Sequence, residues 1–307
     1  MKLRIGTRAS ALAVTQTRTV ATVLERLGID VTLVEITTQG DRDRSPLRRI
    51  GGQGVFVAAL RDALVNGEID VAVHSLKDLP TQPHEALVLA AVPPREDPRD
   101  AVVARDGLNL QTLPRGARVG TGAPRRLAQL RLARGDDLTL VEIRGNVDTR
   151  LGKVHRGELD AVVLARAGLA RLGREAEITH TLDPTEFVPA PGQGALAVEC
   201  RRADESVVRA LAQLDDPRTR AAVTAERAVL AELQAGCSAP MGAFAETTDG
   251  EEGGQLTLHA VVAAVDGSAS VRLSTSGSLG EAERLGRELA SALLAEGASR
   301  LIEERVT

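Results

Sequence analysis

Aromatic residues are nearly absent from this 307-residue chain: it has three Phe, no Tyr and no Trp. Single-stranded nucleic-acid binders stack bases on aromatic faces, and almost none are on offer here. A net charge of −4 adds no overall attraction to a phosphate backbone. Cysteine is scarce too. Cys200 and Cys237 stand alone, with no Cys-x-x-Cys or His-x-x-x-His spacing, which argues against a disulfide framework and against a structural zinc site, and no metal is expected. No apolar run approaches the length of a membrane helix, and Met1–Arg8 lacks the apolar stretch of a signal peptide, so a cytoplasmic protein is expected.

What is present describes an ordinary globular chain, 43% hydrophobic and 26% charged, long enough for two or three domains. Leu3–Thr7 reads as a strand running into a helix with Ser10 at its cap and Gly28 at its close; its expected apolar face is Leu12, Val20, Val23, Leu24 and Leu27. Residues 39–54, polar and glycine-rich, read as a mobile loop before a helix over 55–66. Beyond the linker Pro93–Pro98 the sequence echoes itself. Arg4-Ile-Gly-Thr returns as Arg118-Val-Gly-Thr, Val34-Glu-Ile as Val141-Glu-Ile, and Gly67-Glu-Ile-Asp as Gly157-Glu-Leu-Asp, in the same order. That order predicts two similar α/β domains with a ligand cleft between them. A second crossing at 187–195 should return strand 196–199 to the first sheet. Asp216-Pro217 then starts a capped helix, and alternating strands and a final helix make a small α+β domain. The expected fold class is therefore α/β, with domain 1 over residues 1–94 and 195–213, domain 2 over 99–190 and domain 3 over 217–307.

Three features carry chemistry. The strand before His74-Ser-Leu-Lys-Asp-Leu-Pro80 ends in a polar tip that Pro80 cannot extend, placing Lys77 and Asp78 at the carboxyl end of a buried strand, where α/β proteins bind ligands. A solvated turn is the commoner fate of such a Lys-Asp pair. Residues 115–156 hold ten Lys or Arg against four acids. Arg125-Arg126 follow a glycine turn at a helix start, and Arg144 and Arg150 flank Gly145-Asn146, which points to a small polyanion held at loop tips rather than a solvated basic stripe. Cys237 lies among small residues beyond a helix end, approachable by something large, whereas Cys200 ends an apolar strand as structural thiols do.

Together His74–Pro80, Gly120-Thr with Arg125-Arg126, Arg144-Gly-Asn-Val-Asp-Thr-Arg150, Gly192-Gln-Gly-Ala195 and Gly236-Cys237 resemble the porphobilinogen deaminase (hydroxymethylbilane synthase) family over essentially the whole chain. The resemblance implies two periplasmic-binding-protein-like domains and a third bearing a cysteine, here Cys237, that holds a dipyrromethane cofactor by a thioether. It implies a monomeric transferase of haem and porphyrin biosynthesis. Such an enzyme condenses four porphobilinogens head to tail on that primer, losing ammonia each time, and releases a linear tetrapyrrole by hydrolysis. Asp78 is then the catalytic carboxylate, stabilising the cationic azafulvene and the protonated pyrrole. Cys237, Lys77, Ser10, Arg125, Arg126 and Arg49 become cofactor contacts, and Arg8, Arg144, Arg150, Arg171, Phe56 and Gln193 substrate contacts. The chain departs from the family pattern at Gln53 and Ala58, where Lys is usual, and at Gly122-Ala123, where Ser-Ser is usual; activity is expected to survive these changes. A non-catalytic two-lobed anion binder is the alternative reading. It accounts for the repeat and the arginines but gives Asp78 and Cys237 no task.

Overall fold

A computed structural model describes residues 1–36, 57–234, 239–249 and 254–303. Its strands, in chain order, are β1 (Lys2–Thr7), β2 (Asp30–Glu35), β3 (Val71–Ser75), β4 (Leu87–Ala91), β5 (Asp100–Ala104), β6 (Ala117–Thr121), β7 (Leu138–Glu142), β8 (Ala161–Ala165), β9 (His180–Thr181), β10 (Leu196–Arg201), β11 (Met241–Thr248), β12 (Gln255–Ala263) and β13 (Ser270–Ser278). The chain divides into two compact units, one of residues 1–96 with 194–220 and one of 97–193 with 221–307.

In the first unit five strands run in the order β2-β1-β3-β10-β4, parallel except for β10, which is antiparallel to both neighbours. The strand expected to return at 196–199 does so, between β3 and β4. One face packs on the Ala11–Arg26 and Glu205–Leu211 helices through Ile5, Val20, Leu24, Val198 and Leu211; the other packs on the Ala58–Val65 helix through Leu60, Leu64 and Ile69. Each such fully buried aliphatic side chain is worth about 1.5–3 kcal/mol. The Ala11–Arg26 helix does not use all of its expected face. Val23 and Leu27 are exposed, and Gln16, Thr17, Val20, Ala21 and Leu24 point inward. The inner stripe follows 17, 20, 21 and 24, so 23 and 27 fall one step off it.

The second unit repeats the plan as β7-β6-β8-β5-β9, with β5 the antiparallel insertion. All three sequence echoes occupy equivalent places. Arg4 and Asp70 exchange two hydrogen bonds, Arg4 N donating to the Asp70 carboxylate Oδ2 at 2.9 Å and Asp70 N to Arg4 O at 2.8 Å. Arg118 and Asp160 do the same at 2.7 and 2.9 Å. Ile36 N donates to Thr7 O as Ile143 N does to Thr121 O. Gly6 and Gly120 sit at matching registers opposite Ala72 and Val162. A Cβ on either would lie 2.4 Å from Ile69 Cδ1 or 2.6 Å from Leu159 Cδ1, so both sheets need a bare backbone where the next strand's lead-in crosses.

The same unit carries the antiparallel sheet β11-β12-β13, covered by the Pro217–Glu232 and Ala282–Ala295 helices through Ala225, Val229, Leu258, Leu289 and Leu293. Asp216 caps the first of these, accepting from Thr219 N at 2.8 Å. The α/β class with a smaller sheet-and-helix part is thus observed. Among the described residues no helix is long and apolar enough to cross a membrane.

Candidate active site

In the first unit the sequence around Asp78 folds as a lever. After β3, Leu76–Asp78 form one 3-10 turn, closed by Leu79 N donating to Leu76 O and tied to the sheet by Leu76 N donating to Ala195 O at 3.0 Å. Leu76 and Leu79 are buried at 0% and 3% exposure, while Lys77 and Asp78 stay half-buried between them. Two leucine anchors thereby hold a cation and a carboxylate at the rim of the sheet. Ser10 caps the Ala11–Arg26 helix, its Oγ accepting from Ala13 N at 3.3 Å. A capping hydroxyl still has its own O–H to donate, so Ser10 can hold the helix and an anion at once. Arg8 lies half-buried on the same β1-to-helix loop. Gln16, which periodicity alone did not single out, is 6% exposed and donates from Nε2 to Ser75 Oγ at 2.9 Å, fastening the helix to the residue before the Leu76–Asp78 turn. The available signal was a glutamine on the inner stripe of an amphipathic helix.

The second unit gathers arginines. Arg125 and Arg126 open the Pro124–Arg134 helix, but they are 4% and 5% exposed rather than presented at a tip. The reason is Asp100, wholly buried at the head of β5. Arg126 donates to Asp100 Oδ1 from Nε at 3.0 Å and Nη2 at 2.7 Å, and Arg125 Nη1 lies 2.7 Å from Oδ2. Arg125 also donates to Val188 O and Arg126 to Val163 O. Burial pushes the Asp100 carboxyl upward, yet the two guanidinium groups outweigh it and hold it well below the usual carboxylate range. Gln193, 1% exposed, completes the cluster by donating to Asp100 Oδ1 at 2.9 Å and to Pro98 O at 2.7 Å.

Arg144 leaves β7, and Arg150 sits on the first turn of the Val147–His155 helix, whose cap Asn146 accepts from Thr149 N at 2.8 Å. Arg150 Nε donates to Gly145 O at 2.9 Å. Burial, then the positive charges of Arg126 and Arg144, push the Arg150 guanidinium down to about 10. Of the two neighbours, Arg126 is itself paired with Asp100. Farther along the same stretch, Lys153 and Arg156 pair with Glu158 at 2.9 and 2.7 Å. Arg171 ends the Arg166–Arg171 helix, half-buried. At Gly122, where Ser is usual in the family that the sequence resembles, a Cβ would lie 2.5 Å from Ile143 O, so this backbone accepts only glycine there.

Two family profiles match in tandem: "Porphobilinogen deaminase, dipyromethane cofactor binding domain" over residues 3–209, and "Porphobilinogen deaminase, C-terminal domain" over 220–295. The chain belongs to the porphobilinogen deaminase family. Among its relatives, porphobilinogen deaminase 1 of Streptomyces coelicolor is 59% identical over 99% of this chain and 98% of its own length. The porphobilinogen deaminase of Nocardia farcinica is 57% identical over 98% and 88%, and that of Mycobacterium bovis 55% over 98% of each. Of solved structures, the methionine-binding protein MetQ aligns over 69% of this chain and 89% of its own at 14% identity with a TM-score of 0.46.

Membership brings a dipyrromethane group bearing several carboxylates, and the described residues suit it. Burial and the positive charges of Arg126 and Arg144 disfavour the charge on Arg150, and a carboxylate bound beside it would favour that charge. Cys237, Arg49, Gln53 and Phe56 lie outside the described residues. Cys200 is fully buried, and burial pushes its thiol up to about 11, which suits a core residue and not a nucleophile.

Proposed function

We propose that this chain is a monomeric cytoplasmic enzyme acting on porphobilinogen. It condenses four molecules head to tail, releasing one ammonia at each coupling, and frees the linear tetrapyrrole hydroxymethylbilane with one water. The dipyrromethane group, held through Cys237, supplies the nucleophilic pyrrole carbon when bound. The other roles fall to the chain's own side chains. Asp78 offers a fixed carboxylate to the positive charge that develops as ammonia leaves. Lys77, Ser10 and the buried Arg125-Arg126 pair hold carboxylates of the primer, with Arg49 assisting. Arg8, Arg144, Arg150 and Arg171 receive the acetate and propionate of each incoming pyrrole, with Phe56 and Gln193 as further substrate contacts.

The observation that carries this reading is the gathering of Arg126 and Arg144 close enough to Arg150 to oppose its charge, in a family whose first domain is named for binding a dipyrromethane cofactor. Replacing Arg150 with Met removes one charge-assisted contact, worth about 1.5–3 kcal/mol. The expected result is a KM for porphobilinogen roughly 10- to 100-fold higher, measured by the rate of tetrapyrrole release. An unchanged KM takes Arg150 out of substrate binding. A parent protein that consumes no porphobilinogen favours the non-catalytic anion binder instead.

A further inference from the structure

The interior of the first unit holds three polar side chains to which the proposed function gives no task. Glu199, on β10, is 3% exposed. Its carboxylate takes a guanidinium fork from Arg61, Nε to Oε2 at 3.0 Å and Nη2 to Oε1 at 2.8 Å. His74 Nε2 lies 3.1 Å from the same Oε2, and His74 is 5% exposed. The register pairs Glu199 with Ala72 and His74 with Ala197, so imidazole and carboxylate are diagonal neighbours on adjacent strands. Burial opposes the charge on Glu199, but His74 and Arg61 hold it ionised, down to about 2.

Stability alone does not account for this cluster. An apolar trio of similar volume is commonly as stable as a buried ion group, and the Ala58–Val65 helix already has an apolar seat through Leu60 and Leu64. A fork onto a fixed carboxylate instead sets geometry, because it fixes the helix's rotation and height against the sheet. The location of the three residues says what is being set. His74 is on β3, one residue short of its end and three before Lys77, and Arg61 is on the first turn of the helix that receives the chain from residues 37–56.

We propose that Glu199 is a positioning residue for Asp78 and Lys77. Through His74 it holds the end of β3 from which the Leu76–Asp78 turn departs, and through Arg61 it fixes the start of the Ala58–Val65 helix against β10, the strand beside β3. The proposal rests on the reading of Asp78 as the catalytic carboxylate. Its test uses the full chain carrying its covalent pyrroles. Glu199→Gln, Arg61→Met and Arg61→Lys are made in the parent and in Asp78→Glu, with kcat and KM for porphobilinogen, melting temperature and intact mass measured for each. Glu199→Gln and Arg61→Met are each expected to lower kcat about tenfold with KM within about twofold, and Arg61→Lys to recover most of that loss. In the Asp78→Glu background the same changes cost less than about twofold, because they act through a group already displaced. Equal factors in the two backgrounds, KM rising in step with the loss of kcat, or no loss at all overturns the proposal. If Glu199→Gln does not fold, the Arg61 variants decide by the same criteria. A parent without turnover overturns the enzyme reading and the proposal with it, whereas an active parent with equal factors in both backgrounds overturns the proposal alone.

Discussion

Asp78→Asn is expected to lower turnover of porphobilinogen by at least about 100-fold, the usual loss when a preorganised electrostatic group is removed from a reaction centre. The substitution isolates charge from shape. Asn has nearly the volume of Asp, and the turn that carries residue 78 is held by buried Leu76 and Leu79 and by the Leu76 N to Ala195 O bond, none of which involves the carboxylate. The melting temperature and the covalent pyrrole mass should therefore stay near those of the parent while kcat falls. Steady-state kinetics beside thermal unfolding make the check. Turnover within about threefold of the parent would remove Asp78 from the mechanism.

The largest effect on stability is expected at Asp100. Asp100→Asn leaves Arg125 and Arg126 buried against each other without their counter-charge, a change that costs about 3–5 kcal/mol when one partner of a buried ion group is removed. For a unit of this size that is a fall of roughly 10 °C in melting temperature. The sign of its pH dependence follows from the direction of the shift. The Asp100 carboxyl is held below its ordinary value of 3.8 in the fold, so its contribution is complete above that value and is lost as pH falls toward the folded one. The gap between parent and variant should therefore narrow as pH is lowered from about 4 toward 2, as read by thermal unfolding across that range. A variant as stable as the parent at neutral pH would show that the cluster is not held together by Asp100.

Local chemistry made much of this legible in the sequence. Caps, glycine closures and Pro80 are short-range signals, so the helix starts at Ser10 and Asp216 and the polar tip after β3 stand where the residues place them. The repeat was legible because both copies keep the residues that make the same contacts, down to Arg4 with Asp70 and Arg118 with Asp160. The buried carboxylates were not. Asp100 heads an otherwise apolar strand, and Glu199 interrupts Leu-Ala-Val-Glu-Cys; each is a lone acid in a strand destined for the middle of a sheet. Its meaning depends on cations supplied from Arg125 and Arg126 or from Arg61 and His74, which no period of two or 3.6 residues connects to it. The same partnership explains why Arg125 and Arg126 are drawn inward when a glycine turn before a helix start pointed to exposed tips.

If this member of the family carries its primer covalently on Cys237, the intact mass of the protein reveals it. The purified protein and a Cys237→Ser variant are compared, both made with porphobilinogen available. An excess equal to two condensed pyrroles is expected in the parent and none in the variant. With no Trp and no Tyr, the chain itself absorbs little near 280 nm, so absorbance there would have to come from something other than the polypeptide. A parent at the bare polypeptide mass, or an excess that survives in Cys237→Ser, would contradict a primer held on Cys237.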